Sequence, residues 1–208
     1  MVRNLNTVGW LLCVALASSL VTGCSSPSPS GRTEKKAPAE PVMPVVKELA
    51  IGQPGTLGFL LPGDWSYIPG KITSPLIPAG FRVDSPDKAT AVQVNISWDG
   101  ISPKKETPSL ADLELKLRVQ SGYQNLRTAV ERKVVVKPFD GTDVIGFYTQ
   151  FTEAQWTNVE VPKGVYPIVT DGVFRTGNLW GTFTIYSQDK AGVGYLQAFA
   201  MVKSFRKL

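Results

Sequence analysis

The chain has 208 residues, of which 43% are hydrophobic, enough for a domain with a full core. It contains no histidine and only two cysteines, which excludes Ser-His-Asp and Cys-His nucleophile systems and zinc sites built on histidine. The net charge of +5 is modest, and lysine and arginine form no extended cluster, so we expect no binding to nucleic acid. We also expect no cofactor and no metal.

The first 23 residues have the layout of an export signal. Arg3 precedes an uncharged, mainly apolar run from Val8 to Ala17, and small residues follow it. The run is shorter than the roughly 20 residues that a stable membrane-spanning helix needs. The pattern therefore predicts a signal peptide over residues 1–23.

The end of this signal resembles the lipobox of bacterial lipoproteins. It reads Val21-Thr22-Gly23-Cys24, an aliphatic residue and two small ones before a cysteine. The resemblance implies that a peptidase cuts between Gly23 and Cys24 and that Cys24 carries acyl chains, two or three of which anchor a protein durably. A plain secretory signal is the alternative.

The residue after Cys24 bears on the membrane that would hold the anchor. In enteric bacteria, an aspartate directly after the lipidated cysteine resembles a signal that retains a lipoprotein in the inner membrane. Ser25 occupies that position here, so the outer membrane is favoured. The other cysteine, Cys13, leaves with the signal peptide, and no disulfide is then possible in the mature chain.

Residues 24–43 form a predicted tether. Ser25 to Gly31 reads Ser-Ser-Pro-Ser-Pro-Ser-Gly, and prolines recur up to residue 41. Such a composition buries too little apolar surface to fold, and prolines keep it extended at roughly 3 Å per residue. We expect it to hold the folded domain several tens of Å from the membrane surface.

Residues 44–208 predict one globular domain that is mostly β-sheet. Residues 91–98 alternate, with Val92, Val94, Ile96 and Trp98 on one face. Further β-branched and aromatic runs lie at residues 133–136, 144–151, 165–169, 172–175 and 180–186. Asp-Gly pairs predict tight turns with positive φ at residues 99–100, 140–141 and 171–172. An antiparallel meander follows.

Two segments predict helices. Ser109 can cap the first, with Asp112 reaching back, and Ser121-Gly122 would end it. Its apolar stripe, which should lie on a face of the sheet, consists of Leu110, Leu113 and Leu117. The second runs over residues 191–205, with a loose start at Gly192 and Gly194. Its predicted core face consists of Leu196, Phe199, Val202 and Phe205.

The order of these elements resembles the PsbP-like α/β/α sandwich family, which includes envelope lipoproteins of the DcrB and LpqN/LpqT kind. The resemblance rests on the Leu61-Pro62-Gly63-Asp64-Trp65 start and the Ser204-Phe205 finish. It implies an α+β fold, an antiparallel sheet flanked by helices, in a single domain. It also implies a binding or assembly module rather than an enzyme. The histidines that resemble metal ligands in plant PsbP have no counterpart in this chain.

Few side chains suggest catalysis. Ser-x-x-Lys occurs at residues 85–88 and 102–105, but each contains a proline unsuited to the helix start that such a serine needs. Asp84 with Asp87, and Asp140 with Asp143, could serve a glycosidase or a hard cation, although aspartate is common in turns. No catalytic residue is assigned.

Trp156 is the candidate partner contact. It lies in the polar stretch 152–158, where an exposed aromatic side chain could contact a protein, glycan or lipid, although a packing role is also open. The sequence thus indicates a lipid-anchored, non-catalytic binding module of the cell envelope. The alternatives are an envelope hydrolase that uses paired carboxylates and a carrier of an apolar ligand.

Overall fold

A computed structural model describes residues 42–52, 55–70, 79–97 and 107–208. These residues belong to one compact unit, Glu40–Leu208. The predictions for Gly23, Cys24, Trp98 and the segments 99–100 and 102–105 lie outside the described residues.

Two antiparallel sheets make up the β-structure of the described residues. The larger has seven strands in the order β3-β4-β5-β9-β8-β7-β6, and the smaller has the order β1-β2-β10. The strands are β1 (Val45–Gly52), β2 (Gly55–Leu61), β3 (Ser66–Pro69), β4 (Ala79–Asp84), β5 (Thr90–Ser97), β6 (Lys137–Asp140), β7 (Ile145–Thr152), β8 (Ile168–Thr176), β9 (Leu179–Ser187) and β10 (Arg206–Lys207). The predicted antiparallel meander is confirmed for β6 to β9, which pair in chain order.

The two helices cover opposite faces of the seven-stranded sheet. Helix α1 (Leu110–Asn125) packs on β7 and β8, and helix α2 (Val193–Lys203) packs on β5 and β9. Side chains alternate between faces along a strand, so Phe183 lies beside Phe199 of α2 whereas Thr184 points to the α1 face. The predicted α+β fold, an antiparallel sheet flanked by helices, is confirmed.

An aromatic cluster forms the core on the α2 side. The rings of Phe59 and Phe81 stack with their centroids 4.4 Å apart, and Phe205 meets Phe174 edge-on at 4.9 Å. The Leu60 N–H donates to Ser204 Oγ at 2.8 Å, which ties β2 to the end of α2. Fully burying one such apolar side chain contributes about 1.5–3 kcal/mol. The early and late motifs of the sequence therefore meet in one core.

Helix α1 begins as predicted but ends later. Ser109 and Asp112 form a complete capping box, and Leu113 and Leu117 are buried against the sheet. The predicted end at Ser121-Gly122 is wrong, because the helix continues to Asn125. The hydroxyl of Ser121 points into the sheet rather than competing for the helix backbone, and glycine is tolerated inside a helix at a cost of about 1 kcal/mol.

Helix α2 presents most of its predicted face to the core: Val202 is buried, Phe199 packs against the core cluster, and Phe205, just beyond the end of the helix, is buried as well. Leu196 is 59% exposed, so its place on the core face is wrong. The residues that α2 buries are Tyr195, Ala198, Met201 and Val202. A Cβ on Gly194 would come within 2.6 Å of Thr90 Oγ1. The first turn of α2 therefore packs closely on β5 through Gly194, and Tyr195 turns inward.

Two predicted strand assignments are wrong. Residues 133–136 form no strand, and pairing begins only at Lys137. The predicted strands 165–169 and 172–175 are parts of one strand, β8, which begins only at Ile168, and residues 171–172 form no turn. Gly172 lies opposite Phe183, where a Cβ would overlap the aromatic ring, so this glycine serves packing.

The turn predicted at residues 140–141 is confirmed, although its geometry differs. The Gly141 N–H donates to the Val144 carbonyl at 2.7 Å, between β6 and β7. Gly141 does not have a positive φ. A Cβ there would overlap the Lys203 carbonyl, so close approach of another backbone requires the glycine. Neither α1 nor α2, the helices of the described residues, has the length and apolarity to cross a membrane.

Candidate functional site: a polar cleft between α1 and the sheet

A cleft of about 400 Å³ lies between α1 and the strands β5, β9 and β8. The strand register creates it, because Gln93, Thr184 and Asp171 stand side by side on three neighbouring strands and face α1. The cleft is lined mainly by amide and hydroxyl side chains, including Gln93, Asn95, Gln120, Gln124, Thr182 and Thr184. The volume falls within the roughly 300–1,000 Å³ of small-molecule sites.

Asp171 is held at the wall of this cleft by three neutral donors. Thr184 Oγ1 donates to Asp171 Oδ1 at 2.9 Å. On the helix side, Asn125 Nδ2 donates to Asp171 Oδ2 at 2.7 Å and Ser121 Oγ donates at 3.3 Å. These contacts fix the carboxyl group between β9 and α1.

Burial raises the pKa of Asp171, because desolvation disfavours the charged form more than the hydrogen bonds from Thr184, Asn125 and Ser121 favour it. Tyr186, which also lines the cleft, has its pKa raised by burial and secondly by the charge of Asp171. No lysine or arginine is among the described residues that line the cleft, whereas Glu153 is. The site is therefore acidic in a chain with a net positive charge.

Four amide side chains of the cleft have unused hydrogen-bonding capacity. Gln93, Gln120 and Gln124 are exposed, and Asn95 is half-buried. None of the four side chains makes a hydrogen bond to another described residue. Each amide offers both a donor and an acceptor to whatever enters the cleft.

The predicted partner contact, Trp156, lies at the end of a short 3-10 helix, Ala154–Trp156, that follows β7. Its side chain is half-buried, whereas Ala154 and Gln155 are exposed. Trp156 does not line the cleft, but Glu153, three residues earlier, does. A contact between Trp156 and a partner stays a prediction.

The carboxylate pair Asp84 and Asp87 stabilises the turn between β4 and β5. Asp84 forms an ion pair with Arg82 at 2.9 Å. Asp87 Oδ1 accepts from Ser85 Oγ at 2.6 Å and from the Ala89 N–H at 2.9 Å. These bonds, that from Ser85 first, lower the pKa of Asp87. The serine of the 85–88 Ser-x-x-Lys pattern thus caps a turn.

The second pair, Asp140 and Asp143, flanks the turn between β6 and β7. Both residues are exposed and lie outside the cleft. Among the described residues, no group of three or more acidic, cysteine or histidine side chains could hold a metal ion.

Sequence reasoning missed Asp171 because Asp-Gly is a common turn pair. The signal that could have revealed it is the spacing along α1. The stripe Leu113 and Leu117 continues at four-residue steps to Ser121 and Asn125, both buried. Polar side chains on the buried face of a helix need polar partners in the sheet, and Asp171 is the one that they share.

Comparisons with known proteins are sparse. No family model matches the chain, and no curated protein matches it. Among solved structures, the chain is similar to the solution structure of cyanobacterial PsbP (CyanoP) from Synechocystis sp. PCC 6803. The identity is 13% and the TM-score 0.46, over 87% of this chain and 100% of that chain. A similarity at this level carries no argument about function.

Proposed function

We propose that this chain is a lipid-anchored accessory protein of the cell envelope whose folded domain binds a partner without catalysing a reaction. The observation that carries the binding part is the polar cleft, where four amide groups without a hydrogen-bond partner among the described residues line the same space as a desolvated carboxyl group, Asp171. Convergent polar groups in a concave site are typical of ligand recognition.

The anchor part rests on the sequence. The lipobox-like Val21-Thr22-Gly23-Cys24 would supply an acylated first residue, and the Ser/Pro-rich residues 25–43 would supply reach. Because Ser25 replaces the aspartate of the retention signal, the outer membrane is favoured if the source has one. The partner would be an envelope protein, a glycan or a lipid.

Binding is favoured over catalysis by the way Asp171 is held. Three donors occupy three of the roughly four acceptor positions of its carboxylate. A general acid or base must exchange a proton with substrate, and a group fixed by three protein donors is poorly placed for that role. The remaining acceptor position suits one hydrogen bond from a ligand.

A carboxylate hydrolase is the second candidate, because Asp171 and Glu153 line the same cleft and the pKa of Asp171 is raised. Glu153 Oε1 accepts from Thr128 Oγ1 at 3.3 Å, so it also has a protein partner. If the chain is a hydrolase, Asp171→Asn and Glu153→Gln should each abolish turnover while leaving substrate binding intact.

The carrier of an apolar ligand has less support. An apolar groove lined by Val42, Pro44, Leu60 and Met201 has a volume of about 150 Å³. That is about half of the smallest usual ligand pocket, roughly 300 Å³.

The anchor is tested by metabolic labelling with an alkyne analogue of palmitate, followed by membrane fractionation. We expect Cys24→Ala to abolish the label and to release the chain from membranes, because the acylated thiol is lost. Cys13→Ala is the matched control and should keep both the label and the membrane association. Equal labelling of the wild type and Cys24→Ala would contradict the proposed anchor.

The binding function is tested by crosslinked capture with the full lipidated chain. We expect one defined envelope component to be recovered with the wild type and with Gln197→Ala, whose exposed amide lies on α2, across the sheet from the cleft. Recovery should fall with Asp171→Asn, and Trp156→Ala tests whether the contact extends beyond the cleft. Recovery that does not change with Asp171→Asn would remove the cleft from the binding function.

A further inference from the structure

We propose that the ligand of the cleft is a neutral polyhydroxylated molecule, the chemistry of a glycan. This inference rests on the proposed binding function and assigns its ligand class. It follows from three properties of the cleft: the balance of hydrogen-bond donors and acceptors on its walls, the sign of its charge, and its volume together with the tyrosine at its edge.

The balance of donors and acceptors matches hydroxyl groups. Gln93 and Asn95 on β5 face Gln120 and Gln124 on α1 across the cleft. Each amide presents an N–H donor beside a carbonyl acceptor, and each sugar hydroxyl both donates and accepts. A cation would use only the acceptors and an anion only the donors, so neither would use the paired donor and acceptor that each amide presents.

The acidic lining of the cleft disfavours anionic ligands. Asp171 and Glu153 are its ionisable acids, and no lysine or arginine is among the described lining residues to offset them. A phosphate or carboxylate ligand would meet like charge in a partly desolvated site. A hydroxyl group, by contrast, can donate to the position that remains on Asp171 Oδ1, where Thr184 is the only described donor.

The size and edge of the cleft fit one or two sugar rings. Its volume of about 400 Å³ lies near the lower end of the usual range for small-molecule sites. Tyr186 lines it, and its ring lies 6.0 Å from that of Tyr166, centroid to centroid. A tyrosine ring offers an apolar surface to the C–H face of a sugar and a hydroxyl to its edge.

The test is saturation-transfer NMR on the mature lipidated chain in nanodiscs. The probes are the neutral saccharides cellobiose, maltotriose and N,N′-diacetylchitobiose, with spermidine as the cationic and citrate as the anionic comparison. We expect transfer to at least one saccharide and none to citrate. The double variant Gln93→Ala/Asn95→Ala should weaken that binding at least tenfold, because it removes two of the four free amides.

We expect the double variant to keep the fold, because neither amide bonds to another described residue, and thermal unfolding checks this. Gln197→Ala is the matched control and should keep the affinity of the wild type. The ligand class would be overturned by transfer to citrate, by transfer to spermidine alone, or by transfer to none of the saccharides. It would also be overturned if a saccharide bound the double variant with unchanged affinity. If capture of an envelope component still depends on Asp171 in that case, the binding function stands and only the ligand class fails. If capture fails too, both proposals are wrong.

Discussion

The two faces of the seven-stranded sheet are built from the same strands but differ in chemistry. Along β9, Phe183 packs into the aromatic core beneath α2, whereas the next residue, Thr184, donates to Asp171 beneath α1. On the α2 face, rings stack and interlock. On the α1 face, a small apolar patch around Leu113 and Leu117 gives way to a polar cleft. Side-chain alternation lets one strand build a core and a site at once.

The α1 face carries the polar groups that folding alone would not select. Asp171 is desolvated without a basic partner among the described lining residues, and the buried Thr149 Oγ1 has no hydrogen-bond partner among the described residues. Thr149 and Asp171 are direct neighbours across β7 and β8. Local violations of this kind concentrate where a protein binds or reacts. The core face supplies stability and the α1 face carries the candidate function.

The largest expected effect is on the core face. Phe205→Ala should lower the free energy of unfolding by about 3–5 kcal/mol, because it leaves a cavity among Phe59, Phe81 and Phe174. Urea denaturation of the chain measures it. Tyr123→Ala is the matched control, since Tyr123 is 81% exposed on α1, and should change stability by less than about 0.5 kcal/mol. Equal losses for the two variants would contradict the assignment of the core.

The next effect concerns Gly172 on β8, which leaves room for the ring of Phe183 on β9. Gly172→Ala should cost about 1–3 kcal/mol, because the added methyl group would overlap the Phe183 ring. Gly122→Ala, in the interior of α1 where a Cβ meets only ordinary contacts, should instead stabilise by about 0.5–1 kcal/mol. Thermal unfolding compares the two, and a stabilising Gly172→Ala would mean that Phe183 is placed wrongly.

A smaller effect tests the unpaired hydroxyl. Thr149→Val should raise the free energy of unfolding by about 1 kcal/mol, because it removes a buried polar atom that lacks a partner among the described residues. Thr170→Val is the control with the opposite sign, since Thr170 Oγ1 bonds with both Gln150 and Tyr195. The denaturant midpoints of the two variants, measured against the wild type, give the sign of each change in stability. A clear loss in Thr149→Val would reveal that this hydroxyl has a partner.

The smallest effect is in the pH dependence of stability. The pKa of Asp171 is raised in the folded state, so the native protein binds more protons there than the unfolded chain, and stability falls as pH rises above the ordinary value of 3.8. Asp171→Asn should flatten that fall and raise the melting temperature at neutral pH by a few degrees at most.

Asp87 is the control, because its effect on the pH dependence of stability has the opposite sign to that of Asp171. The pKa of Asp87 is lowered, so its contribution to stability is present above the ordinary value and is lost as pH falls through the folded value. Asp87→Asn should therefore remove stability at neutral pH. Melting curves between pH 3 and 8 compare the two variants. A steeper fall in Asp171→Asn would contradict a desolvated carboxyl group.

Local patterns predicted most elements, and tertiary packing decided the rest. The alternation of Val92, Val94 and Ile96 and the capping box of Ser109 are set by neighbours in sequence, and the structure has both. The core position of Leu196 and the turn at residues 171–172 were predicted wrongly, because each depends on a glycine that packs against another element. Gly194 packs against Thr90, and Gly172 packs against Phe183. The cleft was missed for the same reason: Ser121, Asn125 and Asp171 meet only in the fold.

The most direct test of the division between the two faces is photocrosslinking in intact cells that produce the chain. A photoreactive amino acid replaces either Gln124, at the α1 rim of the cleft, or Gln197, on the exposed side of α2. Both positions are exposed glutamines on helices, Gln124 at the polar cleft and Gln197 beside the apolar groove, so each reports one of the two faces. We expect a defined adduct from position 124 and none from position 197. Adducts of equal yield from both positions, or from position 197 alone, would contradict the account.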